Sequence, residues 1–150
     1  MTLGVILFIV LVATTFFSNG VQAYIHYEAY PLFSSVGKPE FAAYIKEYET
    51  RLTIPLVVPY VLTLLSNLAL LFAHPANLTV ISVIVAFVLN LAVSVVTVML
   101  AAPIYNRIKQ AGTAAPAEME QLMRINLIRL VLSTVSSVVV IYMLVTLLPA

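Results

Sequence analysis

Four long apolar runs separated by polar breaks set the plan of this chain. They cover residues 3–25, 53–72, 78–104 and 118–148. About 20 apolar residues in a helix cross about 30 Å of hydrocarbon, so each run predicts one membrane span. The fold class expected is all-α, a four-transmembrane-helix bundle forming a single domain over residues 1–150. One segment between the first two runs has a different period. Phe41, Tyr44, Ile45 and Tyr48 recur at i, i+3, i+4 and i+7, with Glu40, Lys46, Glu47 and Glu49 on the other side. Over residues 39–50 this predicts a short amphipathic interfacial helix, its aromatic stripe at headgroup depth. Packing of the same stripe on the end of the bundle is the other arrangement the pattern allows.

Prolines and glycines punctuate these runs. Tyr30-Pro31 is expected to end the first helix, because a residue before proline is pushed out of the α region. Pro39 opens the amphipathic helix, as proline favours a first turn. Pro59 is expected to bend the second span, and Pro103 to perturb the end of the third. His74-Pro75-Ala76-Asn77 predicts a tight turn, which makes spans two and three antiparallel neighbours. A polar loop is expected from Tyr105 to Ala117. The first run resembles a signal peptide at Val21-Gln22-Ala23, but it is long and no Lys or Arg precedes it, so it is expected to stay as a span. The two hairpins keep their charges in the connecting loops and invite comparison as a diverged repeat.

Composition narrows the class. The chain is 63% hydrophobic and only 9% charged, against about 25% charged in a soluble domain. The lipid bilayer is therefore the first expected partner. The net charge of +1 and the absence of a Lys/Arg run argue against nucleic acid. There is no Cys, which excludes disulfides and thiolate chemistry within the chain. All seven Lys and Arg belong to the first and third loops or the helix ends beside them. The positive-inside rule then predicts a multi-pass protein with charged loops in the cytoplasm and both termini outside. Asn77-Leu78-Thr79 matches a glycosylation sequon on the outer side; a cap for span three is the simpler role for Asn77.

Each span carries one polar stripe. Asn19, Gln22 and His26 share a face of span one. Tyr60, Thr63 and Asn67 share one on span two, Asn90, Ser94 and Thr97 on span three, and Asn126, Arg129, Ser133 and Ser137 on span four. Polar groups in lipid need partners, so the four stripes are expected to converge. Most such Asn, Ser and Thr residues are interhelical glue, at about 0.6 kcal/mol each. Arg129 is different. It lies inside the last apolar run, where a charge costs at least about 2.5 kcal/mol. His26, Glu28, Arg51, Tyr60, Tyr105, Asn106, Asn126 and Arg129 fall near the ends joined by the charged loops, which predicts a pocket at that end. Arg129, His26, Asn126 and Asn106 are the candidate catalytic residues. Asn19, Gln22, Tyr60, Asn67, Asn90 and Thr97 are candidate ligand-binding residues. No metal site is expected, since His26 and Glu28 point to nearly opposite faces and His74 lies at the other end. No particular cofactor is required by the residues present.

The run Ala102-Pro103-Ile104-Tyr105-Asn106-Arg107, followed by Arg124-Ile125-Asn126-Leu127-Ile128-Arg129, resembles the small four-helix membrane proteins that include the anthrone oxygenases of polyketide pathways. The resemblance marks Pro103, Asn106, Asn126 and Arg129. It departs from that pattern in the spacing of Pro103 and Asn106 and in having no Trp. It implies an oxygenase-like enzyme acting on a lipophilic aromatic or quinone-like molecule. In that role Arg129, Asn126 and Asn106 would hold a phenolate or enolate while His26 moves a proton. Two other functions are open to the same sequence. One is a non-catalytic subunit of a larger membrane complex, contacting lipid, pigment or partner membrane subunits through the apolar faces of spans three and four. The other is a small-solute transporter, disfavoured by the lack of intramembrane carboxylates.

Overall fold

Each apolar run forms a helix longer than the run itself. The computed structural model describes residues 2–147. Its four helices are α1 (Leu3–Phe33), α2 (Lys38–Ala73), α3 (Val80–Ala111) and α4 (Pro116–Leu147), of 31, 36, 32 and 32 residues. Among the described residues there is no strand. The chain is an all-α four-helix bundle, and its helices are long and apolar enough to make it an integral multi-pass membrane protein. Each helix packs against its sequence neighbour, and α1 also packs on α4, closing a ring of antiparallel neighbours. Outward residues such as Ile81, Val88, Val131 and Val138 are exposed, as a lipid-facing surface requires.

Along its inner side each helix reads apolar, polar, apolar. One apolar cluster holds Ile25, Phe33, Phe41, Ile45, Ile104, Ile108 and Leu122 at the charged end. The other holds Phe8, Leu11, Leu70, Val83, Ala86, Val140 and Met143 at the opposite end. Between them in sequence lie most of the buried polar residues, among them Thr15 and Gln22, Thr63 and Asn67, Asn90, and several from Asn126 to Ser137. Charge in the bundle is thus confined to one end and one layer. Gly4 lets α1 reach the end of α2, because a Cβ there would collide with the Ala73 carbonyl.

Several boundaries differ from the sequence expectation. Pro31 does not end α1. The helix widens into a π turn over Ile25–Ala29, with the Tyr30 N–H donating to the Ile25 carbonyl, and runs on to Phe33. Proline clashes with the carbonyl four residues back and brings no N–H; a wider turn relieves both. The same device precedes Pro103, where a π turn spans Thr97–Ala101 and the helix continues to Ala111. The polar loop expected from Tyr105 to Ala117 is therefore mostly helix. Its true turn is centred on Gly112, whose φ of 63° suits glycine, and Pro116 opens α4.

No separate interfacial helix exists at residues 39–50. That segment is the start of α2, which is unbroken from Lys38 and passes through Pro55 and Pro59. Its stripe is buried on the bundle's own end. The Phe33 ring meets Phe41, Tyr44 and Tyr48 edge-on at 6.2, 5.8 and 5.1 Å. At about 1.5 Å per residue α2 is about 54 Å long, so its first turns extend past the hydrocarbon together with the end of α1. Asn77 is not a helix cap. It lies in the turn closed by the Leu78 N–H on the Pro75 carbonyl at 2.9 Å, and α3 begins three residues later with Thr79 at the cap position. The expected end of span four, at Leu148, falls outside the described residues.

Candidate functional site

Arg129 lies on the inner face of α4, where the polar layer meets the apolar cluster of the charged end. It is 3% exposed. Its Nη1 donates to Asn126 Oδ1 at 3.3 Å, one helical turn back. Asn126 is itself held across the bundle, its Nδ2 donating to the Gln22 carbonyl at 3.4 Å. Arg129 Nε has no partner. The ion pairs among the described residues join Arg51 to Glu47, Arg107 to Glu118, Lys109 to Glu49 and Arg124 to Glu120. Arg129 is in none of them. A guanidinium has five N–H donors, and this one makes one well-formed hydrogen bond, to a neutral amide, with the neutral Tyr30 hydroxyl close by. Burying a charge without a partner carries a penalty of several kcal/mol, so the arrangement is costly unless something else meets it.

A cavity of about 240 Å³ lies beside it. α1 supplies Ile25 and Tyr30, and α2 supplies Tyr48, Glu49, Leu52, Thr53 and Leu56. α3 supplies Thr97, Ala101, Ala102 and Tyr105, and α4 supplies Arg129. The two π turns contribute Ile25, Thr97 and Ala101, and the residues just after them Tyr30 and Ala102. Such turns recur at functional sites. A second cavity of about 120 Å³ is lined by Gln22, Leu56, Val57, Tyr60, Thr97 and Arg129. Leu56, Thr97 and Arg129 belong to both. The Tyr105 hydroxyl is buried close to Glu49 without a well-formed hydrogen bond.

The cavity sits in the seam between α2 and α3. Those helices pack through the Val80–Val96 part of α3, but α2 makes no extended contact with residues 97–111. At the far end of this gap Lys109 Nζ bonds both Glu49 oxygens, at 2.9 and 2.8 Å. The seam is therefore close-packed at its middle, bridged at its tip and more widely spaced between.

The expected site residues separate into two groups. Arg129 and Asn126 are together. Gln22, Tyr60 and Thr97 join them around the smaller cavity. The Tyr60 hydroxyl also bonds the Asn90 carbonyl at 2.7 Å and Ser94 Oγ at 2.6 Å. Asn19 is interhelical glue, its Oδ1 accepting from Ser133 at 2.7 Å and Thr134 at 3.2 Å. Asn90 Oδ1 likewise accepts from Ser136 at 3.3 Å. Asn67 is wholly buried with neither amide atom paired and lines neither cavity. His26 stands apart. It is half-buried on the first π turn, its ring edge-on to Tyr27 at 4.9 Å, and lines neither cavity. Asn106 is exposed. Because α3 continues past Pro103 at about 100° per residue, Asn106 lies opposite the buried Ile104 and Ile108. Tyr105, expected at this end of the bundle, does line the larger cavity. Tyr30, Tyr48 and Glu49 were not expected at the site, and their only sequence signal was the aromatic and acidic segment around Tyr44 and the Tyr before Pro31.

No group of three or more His, Cys, Asp or Glu is placed to hold a metal ion among the described residues. The donors facing the cavity are one guanidinium and several phenols, which suit an oxygen-bearing ligand. No protein-family model matches this chain, and no curated protein or solved structure matches it.

Proposed function

We propose that this membrane protein draws the oxygen-bearing head of a lipophilic molecule, of an aromatic or quinone-like kind, out of the bilayer and holds it against Arg129. The observation that carries this reading is the guanidinium itself, almost wholly buried, without an acid, beside a cavity whose remaining wall is largely apolar. The wider spacing of α2 from residues 97–111 of α3 supports entry from the side, at headgroup depth. In this reading the charged end faces the cytoplasm and both termini lie outside, as the distribution of Lys and Arg implies.

The geometry favours holding the molecule over converting it. The oxygenase-like chemistry implied by the resemblance to the anthrone oxygenases needs a group that moves a proton at the reacting atoms. His26 and Asn106 are the residues that reading relies on, and neither lines the cavity. Native mass spectrometry on gently extracted protein tests the proposal. Wild-type protein is expected to carry a small-molecule adduct that Arg129→Met loses while keeping its helical circular dichroism. An adduct equally abundant in the variant would overturn it.

A further inference from the structure

Resting on the reading of the Arg129 cavity just given, we infer that its occupant is an anion: a single-chain lipophilic acid, bound as its carboxylate. The cavity has one charge to answer. Glu49 is the only acid in its wall, and both Glu49 oxygens are taken by Lys109. Asn126 offers Arg129 a neutral oxygen at 3.3 Å, which leaves the positive charge uncancelled. A neutral quinone or ester would leave it so as well. A carboxylate cancels it and adds charge-assisted hydrogen bonds, the stronger kind. The Tyr30 hydroxyl, in the same wall and within hydrogen-bonding reach of Arg129, is a further donor for a second carboxylate oxygen.

Size and shape narrow the class. A cavity of about 240 Å³ falls below the roughly 300–1,000 Å³ that encloses a whole drug-sized ligand. It has room for a small head and the first carbons of a chain. Leu52, Leu56, Ala101 and Ala102 make the apolar part of the wall, which suits those first carbons, and the rest of a chain would remain among the lipids. A single cation matches a monoanion, and a cavity of this volume matches one chain rather than two.

Thermal unfolding in neutral phosphatidylcholine nanodiscs separates the alternatives, with oleic acid, methyl oleate and decylubiquinone as probes. Oleic acid is expected to raise the midpoint of the wild-type protein and to bind roughly 10- to 100-fold more tightly than its methyl ester. Arg129→Gln, which keeps polarity and loses the charge, should abolish that preference; Arg129→Lys should retain part of it. If the ester and the quinone raise the midpoint as much as the acid, the anion is wrong while the lipophilic pocket stands. If none of the three acts, the pocket reading falls too. If phosphatidylglycerol in the nanodisc removes the effect of oleic acid, the anion held is a two-chain phospholipid and the single-chain assignment is overturned.

Discussion

Arg129 is a buried cation that no acid answers. Replacing it by a side chain of similar length should not destabilise: Arg129→Met is expected to gain about 1–4 kcal/mol, read from denaturant unfolding of the ligand-free protein. Arg129 was legible from sequence because a cation inside an apolar run has a cost that no neighbouring residue type disguises. Asn126 was legible with it, one turn away on the same face. Asn106 was not, because its burial depends on whether the helix stops at Pro103, and it does not. Tyr105 was legible only by its depth, and Tyr48 was hidden. An aromatic residue at headgroup depth has the same sequence signature whether it anchors in lipid or lines a cavity. Asn67, buried with both amide atoms unpaired, allows a second substitution. Asn67→Leu should be neutral or stabilising by about 1 kcal/mol, whereas a loss of more than that would mean the amide has a partner, such as a buried water.

At the scale of elements, the helices themselves were plain from hydropathy and their ends were not. Proline was expected to break helices near Pro31 and Pro103, yet in both places the backbone widened to i→i−5 pairing and went on. Whether a proline breaks or widens a helix is decided by what the next turns bury. After Pro31 that is Phe33, and after Pro103 it is Ile104 and Ile108, all core residues. The widened turns fall at matching places in the two hairpins, each ending two residues before its proline, which gives the idea of a diverged repeat a backbone counterpart. Pro103→Ala restores an N–H and removes the ring clash, so the π turn over Thr97–Ala101 should relax to regular α-helix. The residues before it would then rotate relative to those after it, moving Thr97 and Tyr105 apart around the axis. Ligand binding should fall while helix content holds, as titration and circular dichroism would report. The close approach of α1 to α2 gives a cleaner test of packing. Gly4→Ala sets a methyl against the Ala73 carbonyl, and a loss of about 1–3 kcal/mol is expected in thermal unfolding.

For the whole molecule, the arrangement that sequence could not convey is the order of layers. Four polar stripes were visible, but not that apolar clusters close the bundle on both sides of them. Nor was the uneven tightness of the ring visible, since pair packing arises from side chains far apart in the chain. The strap between Lys109 and Glu49 is half-exposed, and such pairs are worth about 0–1 kcal/mol. Lys109→Met should therefore leave the unfolding midpoint nearly unchanged. If the strap restrains the seam, the same variant should release bound ligand faster, by stopped-flow, and wild-type release should quicken with added salt.

Entry from the membrane side, as proposed, changes what binding strength means. The bilayer would then be the reservoir from which the chamber fills, and an amphiphile dissolved there is far more concentrated than in the aqueous phase. Modest intrinsic attraction to the guanidinium is then enough for high occupancy, and exchange can stay quick. How full the chamber is will follow the composition of the surrounding membrane, so the same chain placed in two different membranes can be occupied in one and empty in the other.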